Sequence, residues 1–507
     1  MDRIKIGWAK REFSMEGPIS IPGQMYMRIS RGILDPLYAT ALCMDGGEGQ
    51  DAVIFLSMDV TVLRGGLFGQ IREEVAAMDP TVPLDAILVN ATHTHTSGDF
   101  ADREEHPVSP DGEEYIPGQV FRAFAAKRAA EAVVEAWQTR KPGGFAYGYG
   151  YAVVAHSRRT IYFEDMSLVK PNAVAPNGHG IMYGNTDDPL FSHYEAGADH
   201  FLNALFTFDE SDKLTGMIVN VPCPSQTSEH YTMLSADFWN EVREGVKKEY
   251  GEDVFVLPQC AAAGDLSPRI LHYKQAQQRR MLLKYGIDYS HEGKAADDES
   301  RQKKAMAERY DIAERILDGV RDVYGWAKKE IYREVPLRHV CKTLMLPKRM
   351  ITDEEAQWCR DNIRRMEELV PTKDAATPEE IRKAVSRANA VRARNERALK
   401  KYEEQTKEPL LPMIAHVLRI GDVAFASNRF ELYMDYQHRI QARSPFTQTF
   451  IIQLAGGSFV ADGSYLPTQR GLENKGYSAS IFCNVCGPEG GQALVEQTLE
   501  ILEELKD

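Results

Sequence analysis

An α/β fold is what this sequence predicts, and three observations predict it. Short apolar runs at 52–60, 87–89, 216–221 and 254–257 each end in turns of small and polar residues, the pattern of buried strands. Apolar residues at helical spacing lie between them, as in the alanine-rich stretch 122–139. Strand-like texture then returns near the C-terminus at 415–425 and 449–454, before a closing helix at about 491–504. The segment between differs. From about 275 to 408 it is dense in Lys, Arg, Glu and Gln with few glycines. There 352–369 and 378–403 read as helices, each opened by a threonine and acidic residues. The expected architecture is one α/β body built from residues 1–270 and 410–507, with a mainly helical insertion at 271–409. No internal repeat is visible in the sequence.

A chain of 507 residues has room for two to four domains and a large core. Its formal charge of -14 argues against nucleic acid or an anionic membrane surface as the main partner. No uninterrupted apolar run approaches membrane-spanning length, so stable membrane insertion is not expected. The first residues, Met1 to Gly7, lack the apolar stretch of a secretory signal, and seven scattered cysteines do not form a disulfide framework. These features predict a cytoplasmic protein acting on a small molecule.

The most informative stretch is Asn90-Ala91-Thr92-His93-Thr94-His95-Thr96-Ser97-Gly98, directly after the 87–89 run. Alternate residues of an extended chain point the same way, so both imidazoles are expected to face one pocket. Imidazole is the commonest metal ligand and the usual proton carrier near neutral pH. Cys223 follows another strand; its thiolate would suit zinc or nucleophilic attack, while a small buried thiol is the commoner use. Ser267, in Gly264-Asp265-Leu266-Ser267-Pro268, is either a catalytic hydroxyl or a turn-stabilising one. Glu431 stands where strand passes to helix, a position for a metal ligand or for a carboxylate at a helix N-terminus. Tyr465 and Tyr477 flank a glycine-containing loop. Cys483 and Cys486 form a lone CxxC without a second ligand pair, and no phosphate-binding glycine loop is present, so no nucleotide is implied.

Together these pieces resemble the neutral/alkaline ceramidase family, zinc amidohydrolases that cleave the N-acyl bond of ceramide. Ile6-Gly7-Trp8-Ala9-Lys10 is similar to that family's opening strand, and Asn90-Ala91-Thr92-His93-Thr94-His95 to its zinc motif. Gly264 to Pro268 is similar to its Gly-Asp-Val-Ser-Pro segment. The resemblance implies a Zn2+ ion held by His93, Cys223, Glu431 and Tyr465, with Cys223 replacing the family's second zinc histidine and His230 as a substitute ligand. It implies catalytic roles for His95, Ser267, Tyr477 and Arg159, or Arg158 beside it. Zinc would lower the pKa of a bound water and polarise the carbonyl. The immunoglobulin-like domain of many ceramidases is expected to be absent, as are a secretion signal and an apolar docking segment. Fold resemblance does not fix function. The same fold and metal acting on a glycosidic or ester bond of a soluble polar substrate is one alternative. A metal-free binding protein is another.

Overall fold

Alternation of apolar side chains along three sets of strands builds three sheets on one plan. The computed structural model describes residues 3–64, 66–101, 107–169, 175–288, 298–367, 377–456 and 464–506. In the first sheet Lys5–Glu12, Tyr38–Asp45 and Ala52–Met58 run antiparallel, and the chain then crosses through the helix Leu67–Met78 to Ile87–Ala91, parallel to Ala52–Met58. The second repeats this with Gly144–Tyr151, Phe201–Phe208 and Leu214–Val221, the helix Phe238–Tyr250, and the parallel strand Phe255–Cys260. The third uses Leu337–Pro347, Leu410–Ile420 and Val423–Ser427, then the helix Met434–Arg443 and the parallel strand Gln448–Ile452. A further helix packs on each sheet: Gly118–Gln138, Asp298–Ala327 and Pro488–Lys506 respectively. The architecture therefore repeats three times where the sequence shows no repeat, because the plan needs only apolar alternation and not particular residues.

The period of two decides where each face goes. Val53, Phe55, Leu205, Ile218, Leu257, Val423 and Phe425 join in one central core, with the Phe55 and Phe425 rings 4.9 Å apart. Their neighbours point outward beneath the helices: Ile54 and Leu56 from the first sheet, Met217, Val219 and Val221 from the second, and Ala424 and Ala426 from the third. With both faces buried, the parallel pairs read as continuous apolar runs, which is how the sequence betrayed them. Their C-terminal ends meet at one place, tied across sheets by buried polar groups. Ser57 Oγ and Asn90 Nδ2 donate to Pro258 O (2.6 and 3.1 Å), and Asn220 Nδ2 donates to Ile451 O (2.9 Å).

The strand-like stretch 415–425 is a hairpin rather than one strand. Gly421 takes a φ of 61°, so Ile420 pairs with Val423 across a two-residue turn. Among the described residues of 271–409 there are four helices and also the strand Leu337–Pro347, which pairs along its whole length with Leu410–Ile420. The helices Asp353–Glu367 and Pro378–Glu404 pack on each other, and Thr377 and Glu380 form a capping box at the start of the second. The end of the expected 352–369 helix lies outside the described residues.

Candidate functional site

The two histidines meet, but not by strand alternation. The strand ends at Ala91, and His93 takes a left-handed φ of 66°, an unusual conformation for a residue with a Cβ. The His93 and His95 rings stand perpendicular with Nε2 atoms 3.3 Å apart, and both are buried. His93 Nδ1 lies 2.7 Å from Thr61 O, which only accepts, so Nδ1 carries a proton and Nε2 is the ring nitrogen that faces inward. It faces the Glu431 carboxylate, with Oε2 3.5 Å away. An imidazole nitrogen and a carboxylate so placed share a proton, and both can give a lone pair to a cation that takes its place.

Glu431 and Tyr465 arrive together because the two-residue strands Glu431–Leu432 and Tyr465–Leu466 pair in parallel, Glu431 opposite Tyr465. Burial alone would raise the Glu431 carboxyl. His93, Arg158 and a hydrogen bond from Ser464 Oγ more than offset it and hold the group down to about 2. Burial pushes the Tyr465 phenol well up, with Arg158 opposing and Glu431 adding. Arg158 Nη2 donates to Gly264 O (2.8 Å) and Tyr465 OH (3.2 Å) and lies 3.7 Å from Glu431 Oε2. Its Nε is buried without a hydrogen-bond partner among the described residues. The Gly264 to Pro268 segment serves this wall. A Cβ on Gly264 would strike Glu431 O, and Asp265 Oδ1 accepts from Met434 N (3.1 Å) at the start of the following helix. Half-buried Tyr477 sets its ring 6.1 Å from that of Tyr465 and accepts from Arg394 Nη2 at 2.9 Å.

The opposite wall surrounds His95. Its Nδ1 lies 3.5 Å from Glu229 Oε2 and makes no hydrogen bond, and Glu229 is paired with Arg269. Burial, with His93 adding, lowers the His95 imidazole well below its usual value, so it is neutral at neutral pH. Arg28 Nη2 donates to His95 O at 2.6 Å. Gly23, at φ +96°, packs so closely that a Cβ would lie 2.7 Å from His95 Nδ1.

Three expected residues are not brought into this cluster. Cys223 continues the outward parity of Met217, Val219 and Val221, lies in the apolar core and donates to Val154 O at 3.2 Å. Burial raises its thiol well above the usual value. Arg159 points away from Arg158, as consecutive extended residues do, and is consumed by Glu195 Oε2 and Oε1 (2.6 and 2.8 Å), Ser478 Oγ, Gly471 O and Lys475 O. Ser267 Oγ accepts from Arg269 N (3.2 Å), the turn-stabilising use of that hydroxyl. His230 stands at the exposed edge, its Nδ1 3.1 Å from Tyr26 OH. Sequence reasoning missed Glu229 and Arg394. Neither sits in a recognisable motif, and Arg394 is one of many charged residues on a helix.

Comparison with solved structures decides the fold. The neutral ceramidase of Pseudomonas aeruginosa superposes with a TM-score of 0.65 over 100% of this chain and 75% of that chain, at 15% identity. A ceramidase complexed with C2 gives 0.63, 100%, 76% and 14% in the same terms. The chain has the neutral ceramidase fold. No protein-family model and no curated protein sequence matches it. Among the described residues of this ceramidase-like chain, no three His, Cys, Asp or Glu side chains are grouped to hold a metal ion, and no helix is long and apolar enough to cross a membrane. The donor set still suits zinc with a phenol oxygen as third member: His93 Nε2, Glu431 Oε2 and Tyr465 OH. The imidazole–carboxylate separation of 3.5 Å is close to the edge of about 3.3 Å between tetrahedral zinc ligands. The bond from His93 Nδ1 to Thr61 O supplies the outer support that a metal-bound histidine takes.

Proposed function

We propose that this protein is a zinc-dependent hydrolase that cleaves an amide (N-acyl) bond, with the metal held by His93, Glu431 and Tyr465. The observation that carries the reading is the inward-facing His93 Nε2 set 3.5 Å from the Glu431 carboxylate, in a chain with the ceramidase fold. Zinc, when bound there, would supply Lewis acidity to the acyl carbonyl and make a bound water more acidic. The chain's own groups do the rest. His95, neutral and fixed against Gly23, takes a proton from the attacking water on Nε2 and passes it to the departing amine nitrogen as the C–N bond breaks. Arg158 Nε, a donor without another partner, faces the oxyanion that forms. Arg158 also competes for Glu431, so zinc is held more weakly than in a site with four protein ligands.

Metal analysis of the purified wild type, His93→Ala, Glu431→Gln and Cys223→Ala proteins tests this, alongside a panel of N-acyl amides, esters and glycosides. Stoichiometric zinc that is lost in the first two variants and retained in Cys223→Ala, with amide turnover, is expected. Failure to bind supplied zinc, or zinc retained without His93 and Glu431, overturns the reading.

A further inference from the structure

The charges lining the site do not balance. Four arginines reach it: Arg158 beside Glu431, Arg269 paired with Glu229, and Arg28 and Arg394. The guanidinium of Arg28 is tied to carbonyl oxygens, Tyr231 O at 2.8 Å, Pro22 O at 2.5 Å and His95 O at 2.6 Å. Arg28 Nε is also buried without a partner among the described residues, but both of its terminal nitrogens are used, whereas Arg394 has a terminal nitrogen to offer. Carried in on the Pro378–Glu404 helix, it donates Nη2 to Tyr477 OH at 2.9 Å, with its Cζ 5.3 Å from the centre of that ring. Its Nη1 is buried without a hydrogen-bond partner, and no carboxylate bonds to it among the described residues. Arg394 is half-buried, but a guanidinium nitrogen shut away from water without a counter-ion is costly, and that cost is removed when a ligand supplies the anion.

We infer that the substrate carries an anionic oxyacid group, a carboxylate or a phosphate, to which Arg394 Nη1 donates beside Tyr477. The inference rests on the hydrolase reading and adds the head group to it. A neutral hydroxylated head group would leave Arg394 uncompensated. The acyl bond then lies towards His93, His95 and Glu431, with the Tyr477 and Tyr465 rings between it and the anion. An anion-recognising guanidinium on this helix makes the charged segment part of the site and not only a solvated layer. Arginine suits the task because its planar fork matches the oxygens of both groups.

The test separates binding from turnover. N-octylsulfonylglycine, N-octylsulfonylethanolamine and the phosphate ester of the latter share one chain, resist hydrolysis and differ in head group. Calorimetry on the full-length protein is expected to show one or both anionic probes binding roughly ten- to a hundredfold more tightly than the neutral one. Whichever anion binds more tightly identifies the source. In Arg394→Ala the ratio is expected to fall towards one, and in Arg394→Lys part of it returns, with thermal melting confirming that each variant folds. If Arg394→Ala does not fold, Arg394→Gln takes its place. Equal binding of all three probes to wild type, or an anionic preference that survives loss of the guanidinium in a folded variant, overturns the inference. An anionic preference with no hydrolysis of the matching N-acyl amides leaves the inference standing and removes the hydrolase reading instead.

Discussion

Replacing Arg159 by alanine separates two adjacent arginines that the chain uses in opposite ways. Arg159 is fully buried and makes two hydrogen bonds to the equally buried Glu195, with further bonds to Ser478, Gly471 and Lys475. Its loss leaves a carboxylate in the interior without its cation, which costs about 3–5 kcal/mol. At about 2.1 cal/mol/K of unfolding entropy per residue, a chain of 507 residues melts with roughly 1 kcal/mol/K, so the expected fall in Tm is about 3–5 °C. Differential scanning calorimetry measures it. The paired variant Arg159→Met/Glu195→Leu is expected to recover most of the loss, because the damage lies in the stranded carboxylate more than in the missing contact. Arg158→Ala is expected to act on turnover, lowering kcat/KM for an N-acyl substrate by roughly a hundredfold through loss of an oxyanion donor. An Arg159→Ala protein that melts within about 1 °C of wild type refutes this division of labour, as does an Arg158→Ala enzyme with wild-type turnover.

Two further outcomes are expected. Burial raises the Asp265 carboxyl from 3.8 to about 6, so between those values the folded chain holds a proton that the unfolded chain has lost. This group's contribution therefore declines as pH rises through that window and reaches its full cost, about 3 kcal/mol, above it. In Asp265→Asn, whose amide oxygen can still accept from Met434 N, stability relative to wild type is expected to rise by that amount between pH 4 and 7 in urea melts. A constant difference across the window would contradict the assignment. Gly23→Ala places a methyl against His95 and forces a side chain to φ +96°, so turnover is expected to fall about tenfold or more with zinc content retained. Wild-type turnover would show that His95 does not need its present position.

Much of the site was legible because its signals are local. The 87–89 run, the paired histidines and the small-residue loop after them announced a pocket at a strand end. Glu431, Tyr465 and Tyr477 followed from the order of motifs, and the structure gathers them within one wall. Side-chain direction was harder to read. Cys223, a ligand only by the family resemblance, packs in the outward core as a small buried thiol, and Arg159 was favoured where Arg158 lies beside the carboxylate. One residue of register reverses a side chain, and a strand end carries no mark of which face will be covered.

The sequence by itself determined the α/β class, the apolar alternation of each strand, the helix starts at Thr352 and Thr377 and the polar loops that follow the parallel strands. These depend on neighbours a few residues apart. Only the tertiary structure decided that three sheets share one central core, and that Leu337–Pro347, from the segment expected as an insertion, completes the third. It also brought His93, Glu431 and Arg394, more than 300 residues apart between the first two, to the same site. Such meetings are set by how apolar faces find one another across the fold, and no local pattern along the chain records them.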